Sequence, residues 1–236
     1  MVIGNGMIAR ALMEIDRAEV VFSASGLSNA KVEDPSARQR EASLLSQQIS
    51  NHQGKLYVYI SSYSINDKDS SRNTPYLTHK AAMESLVRSQ ASKYLIIRTS
   101  NVVGKSKQSG NLMNFIYHNL LQGSPFEIWT NTSRNLIDVQ DLAKLLASVI
   151  DKGYENDTLY LIHPKDIAIY DIVKQFETLA KLKGNYSLTA KGQHYHSDNN
   201  LAKKLFEELK LETAPIKYTR GLIQKYFLSQ GGAENS

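Results

Sequence analysis

Val2-Ile-Gly-Asn-Gly-Met-Ile-Ala9 is the stretch on which the fold turns. Two apolar residues lead into Gly4-Asn-Gly6-Met-Ile-Ala9, which has the Gly-x-Gly-x-x-Ala form, and Ile8, Ala11 and Leu12 continue it at helical spacing. Glycine at 4 permits a tight turn, glycine at 6 lets a backbone approach a pyrophosphate, and small Ala9 lets helix pack close to strand. A helix N-terminus beyond the turn supplies an anion site. The pattern predicts strand, turn and helix at the start of a nucleotide-binding α/β sheet, with Gly4, Asn5, Gly6, Met7 and Ile8 against a dinucleotide.

Working outward, Tyr57-Val-Tyr-Ile-Ser-Ser-Tyr-Ser64 reads as a buried strand with hydroxyls at its end, followed by Tyr76-Leu-Thr-His-Lys80. Four residues apart on a helix places Tyr76 and Lys80 on one face. A hydride joins or leaves a carbon only if the attached oxygen gains or loses a proton, and a phenol does this near neutral pH when its pKa of about 10 is brought down. Lys80 is expected to stabilise the phenolate of Tyr76, with Ser62 holding the substrate oxygen. Tyr-x-x-x-Lys also arises by chance, so the weight rests on its combination with the glycine turn.

Further segments follow in order. Val20-Val-Phe-Ser-Ala-Ser-Gly26 is an apolar strand ending in small residues, Arg98-Thr-Ser-Asn-Val-Val-Gly104 follows another strand, and Arg134-Asn-Leu-Ile-Asp-Val-Gln-Asp141 leads into a helix. Together with the glycine turn and the Ser/Tyr/Lys set, these resemble the extended short-chain dehydrogenase/reductase superfamily, in its NAD-dependent epimerase/dehydratase (nucleotide-sugar) branch. The resemblance runs over most of the chain. It implies a Rossmann-type doubly wound parallel α/β sheet and NAD or NADP as cofactor. It also implies Ser62, Tyr76 and Lys80 as catalytic residues, with Ala24, Ser25, Gly26, Ser61, Tyr76 and Lys80 beside the cofactor. Ser62 fits the family's Ser/Thr place better than Ser61. Asn101, Asn114 and Arg134 would lie around the sugar nucleotide together with Ser62, Arg134 at a phosphate, and Trp129 is a candidate for an apolar or stacking contact. Val103 stands where the family usually has an aromatic. Each of these four has a plainer alternative: a satisfied turn for Asn101, solvent for Asn114, a surface ion pair for Arg134 and core packing for Trp129.

One departure bears on the cofactor. Family members usually place two further strands and a helix between the glycine turn and the small-residue strand, and here only Arg10 to Glu19 intervenes. If Val20 to Phe22 is the family's fourth strand, the unit that binds the adenosine end is missing and the sheet is shortened at its N-terminal edge. If it is the second, an acidic residue should close it to hold the ribose hydroxyls; Ser23, Ala24 and Ser25 stand there instead.

A chain of 236 residues, 42% hydrophobic, can bury a core as one α/β domain with a small appended lobe. No cysteine is present, which excludes disulfides and a thiol nucleophile. With no apolar leader and no run of about eighteen apolar residues, a cytoplasmic protein without a membrane partner is expected. The net charge of +5 suits an anionic cofactor and substrate, and no nucleic-acid motif accompanies it. His194 and His196 form a His-x-His without a third ligand, so no metal is expected.

Periodicity predicts helices over 35–50, 75–90, 112–122, 139–151, 169–182, 200–210 and 218–228. Strands are expected over 20–22, 56–61, 94–98, 126–129, 158–162 and 185–189, with 192–199 as loop. A Rossmann domain over 1–162, carrying a substrate-lobe insertion at about 105–134, precedes a small C-terminal substrate lobe over 163–229 and a tail over 230–236.

The expected function is an NAD(P)-dependent nucleotide-sugar oxidoreductase, either a 4-keto-sugar reductase or an epimerase, in surface-polysaccharide sugar biosynthesis, with a homodimer as an allowed assembly. Ser62-Tyr63-Ser64 lacks the acidic pair usual in the family's dehydratases, and the short chain leans towards a reductase. The alternative is a non-catalytic dinucleotide-binding sensor or regulatory protein on the same fold.

Overall fold

The computed structural model describes residues 1–27, 34–66, 74–106, 111–192 and 199–228. The chain divides into two compact units, Met1–Ser100 with Leu142–Leu161, and Asn101–Asp141 with Ile162–Ser236.

The first unit is built on five strands, β1 (Val2–Ile3), β2 (Val20–Ser23), β3 (Leu56–Ser62), β4 (Lys93–Thr99) and β9 (Asp157–Tyr160), all parallel and ordered β1-β2-β3-β4-β9. Among the described residues β1 is an edge strand, paired with β2 alone through Val2 with Phe22 and Ile3 with Ser23. The Val20 strand therefore does not lead back across β1, and the chain steps one way over the sheet. This matches a sheet shortened at its N-terminal edge. Strands buried on both faces need helices on both. On one face Val21, Tyr57, Tyr59 and Ile96 pack with Leu45 and Ile49 of α2 (Pro35–Asn51) and Met83 and Val87 of α3 (Pro75–Gln90). The alternating residues Val20, Phe22, Val58, Ile60, Leu95 and Ile97 point the other way and are equally buried. α1 (Met7–Leu12) packs against β1 and β2, and Arg17 beyond it pairs with Asp151 at the end of α5 (Val139–Asp151) at 2.5 Å.

Local chemistry sets the helix starts. Asp34 caps α2 by accepting from the Ser36 amide at 2.8 Å, Thr74 caps α3 by accepting from Leu77, and each helix has proline at its first position, where no amide hydrogen is needed. The buried face of α3 is His79, Lys80, Met83, Glu84 and Val87. Three of these five are polar, so α3 brings charge under the sheet rather than an apolar stripe. Because all five strands are parallel, their carboxyl ends share one edge. That edge carries Gly4 after β1, Ala24 to Gly26 after β2, and Ser62 at the end of β3.

The second unit carries short strand pairs. β5 (Asn101–Val103) runs parallel to β8 (Leu136–Asp138), β6 (Phe126–Trp129) parallel to β11 (Tyr186–Thr189), and β7 (Ser133–Arg134) antiparallel to β10 (Ile167–Ala168). Of these, β5, β7, β8 and β10 have two or three residues, too few for alternation to show in the sequence. Helices α4 (Leu112–Gln122), α6 (Ile169–Ala180), α7 (Asn200–Glu208) and α8 (Pro215–Ile223) complete the unit. An aromatic group of Tyr117, Phe176 and Phe227, with ring centroids 5.1–5.6 Å apart, joins α4, α6 and the π turn over Gln224–Leu228. Several predicted ends move, among them α7, which stops at Glu208, and β9, which ends at Tyr160. α6 stops at Ala180 because Lys181 turns left-handed (φ 55°), and α8 begins at Pro215 rather than 218, where proline again takes the first helical position.

Candidate active site

Gly4 and Gly6 do different work. Gly4 has φ +126°, and a Cβ there would stand 2.6 Å from the Ala24 carbonyl oxygen, so backbone meets backbone where β1 and β2 end. Gly6, the N-cap of α1, is extended (φ −73°, ψ −178°), and a Cβ there would meet nothing within 4 Å. Open space in front of the first amides of a helix is what an approaching phosphate requires. Asn5, Met7 and Ile8 belong to the same turn and helix start, and Arg10 donates to the Asn5 carbonyl at 3.3 Å.

The end of β3 presents two hydroxyls with opposite fates. Ser61 is buried and donates to Glu84 Oε1 at 2.6 Å, a structural bond. Ser62 is partly exposed, accepts from the Ser64 amide at 3.3 Å and stands beside the Tyr76 phenol. Strand end and helix start thus bring Ser62 and Tyr76 together. Burial lifts the Tyr76 phenol above its ordinary value; the Ser62 hydroxyl opposes this and the charge of Glu41 adds to it. Tyr76 is a phenol, not a phenolate, at neutral pH.

Lys80 departs from expectation. Its side chain is buried, and its ammonium donates to the Tyr59 hydroxyl at 3.0 Å and to the Ile60 carbonyl at 3.4 Å, with Glu41 Oε1 at 3.9 Å. The amine is turned under β3, so it does not draw the Tyr76 phenol down in this structure. Burial lowers the Lys80 pKa, partly offset by Glu41 and Glu84. Gly26 lies directly against this amine, and a Cβ there would sit 2.5 Å from Nζ. The β2 turn, with Ala24, Ser25 and Gly26, is thereby joined to Lys80, and the lysine end excludes any side chain at position 26.

Glu41, His79 and Tyr59 belong to this site and carry no motif. Glu41 Oε2 accepts from the Leu27 amide and meets His79 Nε2, each at 2.9 Å, while Oε1 accepts from Tyr59 at 3.3 Å. The sequence does hold a signal for Glu41. It sits four residues after Ala37 and four before Leu45, on the stripe that continues to Ile49, and a carboxylate on a buried stripe must have partners.

The residues expected around a sugar nucleotide lie in the second unit, each with a local partner. Asn101 donates to the Asn135 carbonyl at 2.9 Å. Asn114 is buried and donates to the Ser106 carbonyl at 3.1 Å. Trp129 is 42% exposed and donates to Glu127 at 2.6 Å. Arg134 donates to the Ser133 carbonyl at 2.8 Å and sits in register with Ile167. His194 and His196 lie outside the described residues. Among the described residues no group of three or more His, Cys, Asp or Glu could hold a metal, and no helix is long and apolar enough to cross a membrane.

The family model for the NAD dependent epimerase/dehydratase family matches residues 7–162, that is 156 of the 236 residues. RMD from Pseudomonas aeruginosa, solved with NADPH, superimposes with TM-score 0.71 at 15% identity, covering 95% of this chain and 97% of its own. UDP-glucose 4-epimerase from Bifidobacterium longum, with NAD+ and UDP, gives 0.69 at 17%, covering 94% and 80%. UDP-glucuronic acid 4-epimerase from Bacillus cereus, with UDP-glucuronic acid and NAD, gives 0.68 at 14%, covering 94% and 77%. At such identities the likeness speaks to the fold. No curated protein matches the sequence.

Proposed function

This chain belongs to the NAD-dependent epimerase/dehydratase family, and on that premise we propose that it is a nicotinamide-dependent oxidoreductase of nucleotide sugars acting as a keto-sugar reductase. The observation that carries the reading is the half-buried Tyr76 phenol beside Ser62, raised by burial above its ordinary value and so held protonated. A group that keeps its proton at neutral pH suits the direction in which a carbonyl is reduced. The open space at Gly6, the left-handed Gly4 and the Gly26 turn against Lys80 support NAD or NADP at this edge.

When bound, the dinucleotide supplies the hydride. Ser62 holds the carbonyl oxygen, and as the C=O π bond gives way to a C–H bond Tyr76 passes its proton to that oxygen, leaving an alcohol. The phenolate so formed recovers a proton from water. Lys80, one turn along the same helix, supplies positive charge beside Gly26. Arg134 is assigned to the diphosphate and Asn101, Asn114 and Trp129 to the remainder of the sugar nucleotide. Surface-polysaccharide sugar biosynthesis is the process into which such a product fits.

The test is oxidation of NADPH or NADH by the purified protein with nucleoside-diphosphate 4-keto-sugars, comparing wild type with Tyr76→Phe. Loss of the proton donor should lower kcat by about a hundredfold or more while dinucleotide affinity stays within about threefold. Equal turnover in both proteins would remove Tyr76 from the chemistry. A second reading, a dinucleotide-binding sensor, draws on β1 as an edge strand and on the absence of an acid among Ser23, Ala24 and Ser25. It requires tight dinucleotide binding with no turnover of any keto-sugar in wild type.

A further inference from the structure

The Lys80 ammonium is held by residues outside the Ser62, Tyr76 and Lys80 set, and its partners form a closed chain. Its ammonium donates to Tyr59, Tyr59 donates to Glu41 Oε1, and Glu41 Oε2 is anchored by the Leu27 amide and His79. Glu41 and Leu27 flank the turn that presents Gly26, and a Cβ at Gly26 would lie 2.5 Å from Lys80 Nζ and 3.1 Å from Glu41 Oε1. The carboxylate is only 9% exposed and the lysine 5%. A lysine this deep tends to lose its proton unless an acid of opposite charge stands close.

We propose that Glu41 is a positioning residue that holds the Lys80 ammonium against the Gly26 turn, with His79 and the Leu27 amide fixing the carboxylate. This rests on the reading of the site as an oxidoreductase centre. The charged and titratable groups facing Lys80 are Glu41 from α2, Tyr59 from β3 and Glu84 from its own helix. Of the two acids, Glu84 is committed to Ser61, Arg98 and Arg88, which leaves Glu41 to balance the lysine. Burial lowers the Lys80 pKa and Glu41 raises it, so removing the acid should let the lysine discharge at a lower pH. Below that pH the site keeps its cation and above it the cation is gone.

The experiment follows the Lys80 titration by NMR in lysine-labelled full-length protein, with the resonance assigned by its absence in Lys80→Arg. NADPH affinity is measured against pH in parallel. Glu41→Gln should lower the Lys80 midpoint by about one pH unit or more, a tenfold change in the acid constant. The pH at which NADPH affinity falls away should drop with it. A midpoint within about 0.3 units of wild type overturns the proposal. So does a shifted midpoint with an unchanged NADPH profile, because the pair would then serve folding alone. If Glu41→Gln does not fold, Glu41→Asp retracts the carboxylate by one methylene and should give a smaller shift of the same sign; no shift overturns the proposal. Wild-type protein that binds no dinucleotide refutes the proposed function, and the NMR titration then still decides whether Glu41 governs Lys80.

Discussion

Glu84→Gln isolates the strongest interaction under the site. The Glu84 side chain is 1% exposed and accepts four bonds: Ser61 at 2.6 Å, Arg98 Nε at 2.9 Å, Arg98 Nη2 at 2.7 Å and Arg88 at 2.9 Å. Glutamine keeps the shape, but one of its two ends becomes a donor facing guanidinium donors. Arg98, itself 12% exposed, then loses the Glu84 charge on which two of its nitrogens rest. Breaking a buried pair from one side costs about 3–5 kcal/mol. Loss of two charge-assisted bonds at roughly 1.5–3 kcal/mol each gives a similar figure. In a chain of this size the melting temperature should fall by about 6–20 °C. Arg88→Ala touches the same carboxylate from a side chain 38% exposed, where screening keeps the contribution at about 1 kcal/mol or less. Urea unfolding at pH 7, with the slope checked for constancy, measures both. The pH dependence adds a second signature. Burial pushes the Glu84 carboxyl up, and Arg98, Ser61 and Arg88 more than reverse it, leaving it below the ordinary value. Its stabilisation is therefore present above the unfolded pKa of about 4.3 and lost as pH falls through the folded value, and Glu84→Gln should flatten that acid limb. A Glu84→Gln cost under about 1 kcal/mol, or one equal to that of Arg88→Ala, would refute the reasoning.

Other outcomes follow from the same geometry. Gly4→Ala, strained at φ +126° and pressed on the Ala24 carbonyl, should lower stability by roughly 1–3 kcal/mol or more, while Gly6→Val should leave the ligand-free melting temperature little changed and weaken dinucleotide binding, both read by thermal melts and titration. Gly26→Ala presses on the buried Lys80 ammonium and the tip of Glu41, which must shift to admit it, so dinucleotide affinity should fall about tenfold or more and the melting temperature by a few degrees; equal affinity would separate this turn from the cofactor. Arg134→Ala should raise KM for the sugar nucleotide about ten- to a hundredfold at unchanged dinucleotide affinity, the loss of a bidentate contact of roughly 1.5–3 kcal/mol.

The parts of the fold that long patterns specify were legible in the sequence. Leu56–Ser62 and Lys93–Thr99 each hold a continuous apolar run, Leu56 to Ile60 and Tyr94 to Ile97, and the helices over 75–90 and 139–151 carry their boundaries in Thr74-Pro75 and in the step from Asp138. The glycine turn told where backbone would have to come close, and Gly4 against Ala24 is that place. Strands of two or three residues had no period to display and depend on pairing partners far along the chain, as Ile167 does on Arg134. At the candidate site, residue type and spacing pointed to Ser62 and Tyr76, which the end of β3 and the start of α3 bring near each other. Spacing could not tell which way Lys80 would turn. That depends on Glu41, some forty residues earlier, and on the Tyr59 hydroxyl of β3, on the sheet face that α3 covers. Helical geometry puts Tyr76 and Lys80 on one face, but burial and an opposite charge decided where the ammonium went.

The one-way strand order has a consequence for how the first unit folds. β1, β2, β3 and β4 each pair with their neighbour in sequence, so loop-closure entropy is met in short increments as the chain lengthens. β9 differs, because its register with Leu95 to Arg98 joins residues on either side of the whole Asn101–Asp141 segment. Pairings of high contact order form late. Mutations in β9 such as Leu159→Ala should therefore speed unfolding with little effect on the refolding rate, whereas mutations in β3 such as Val58→Ala should slow refolding, an asymmetry that the two arms of a chevron plot would record.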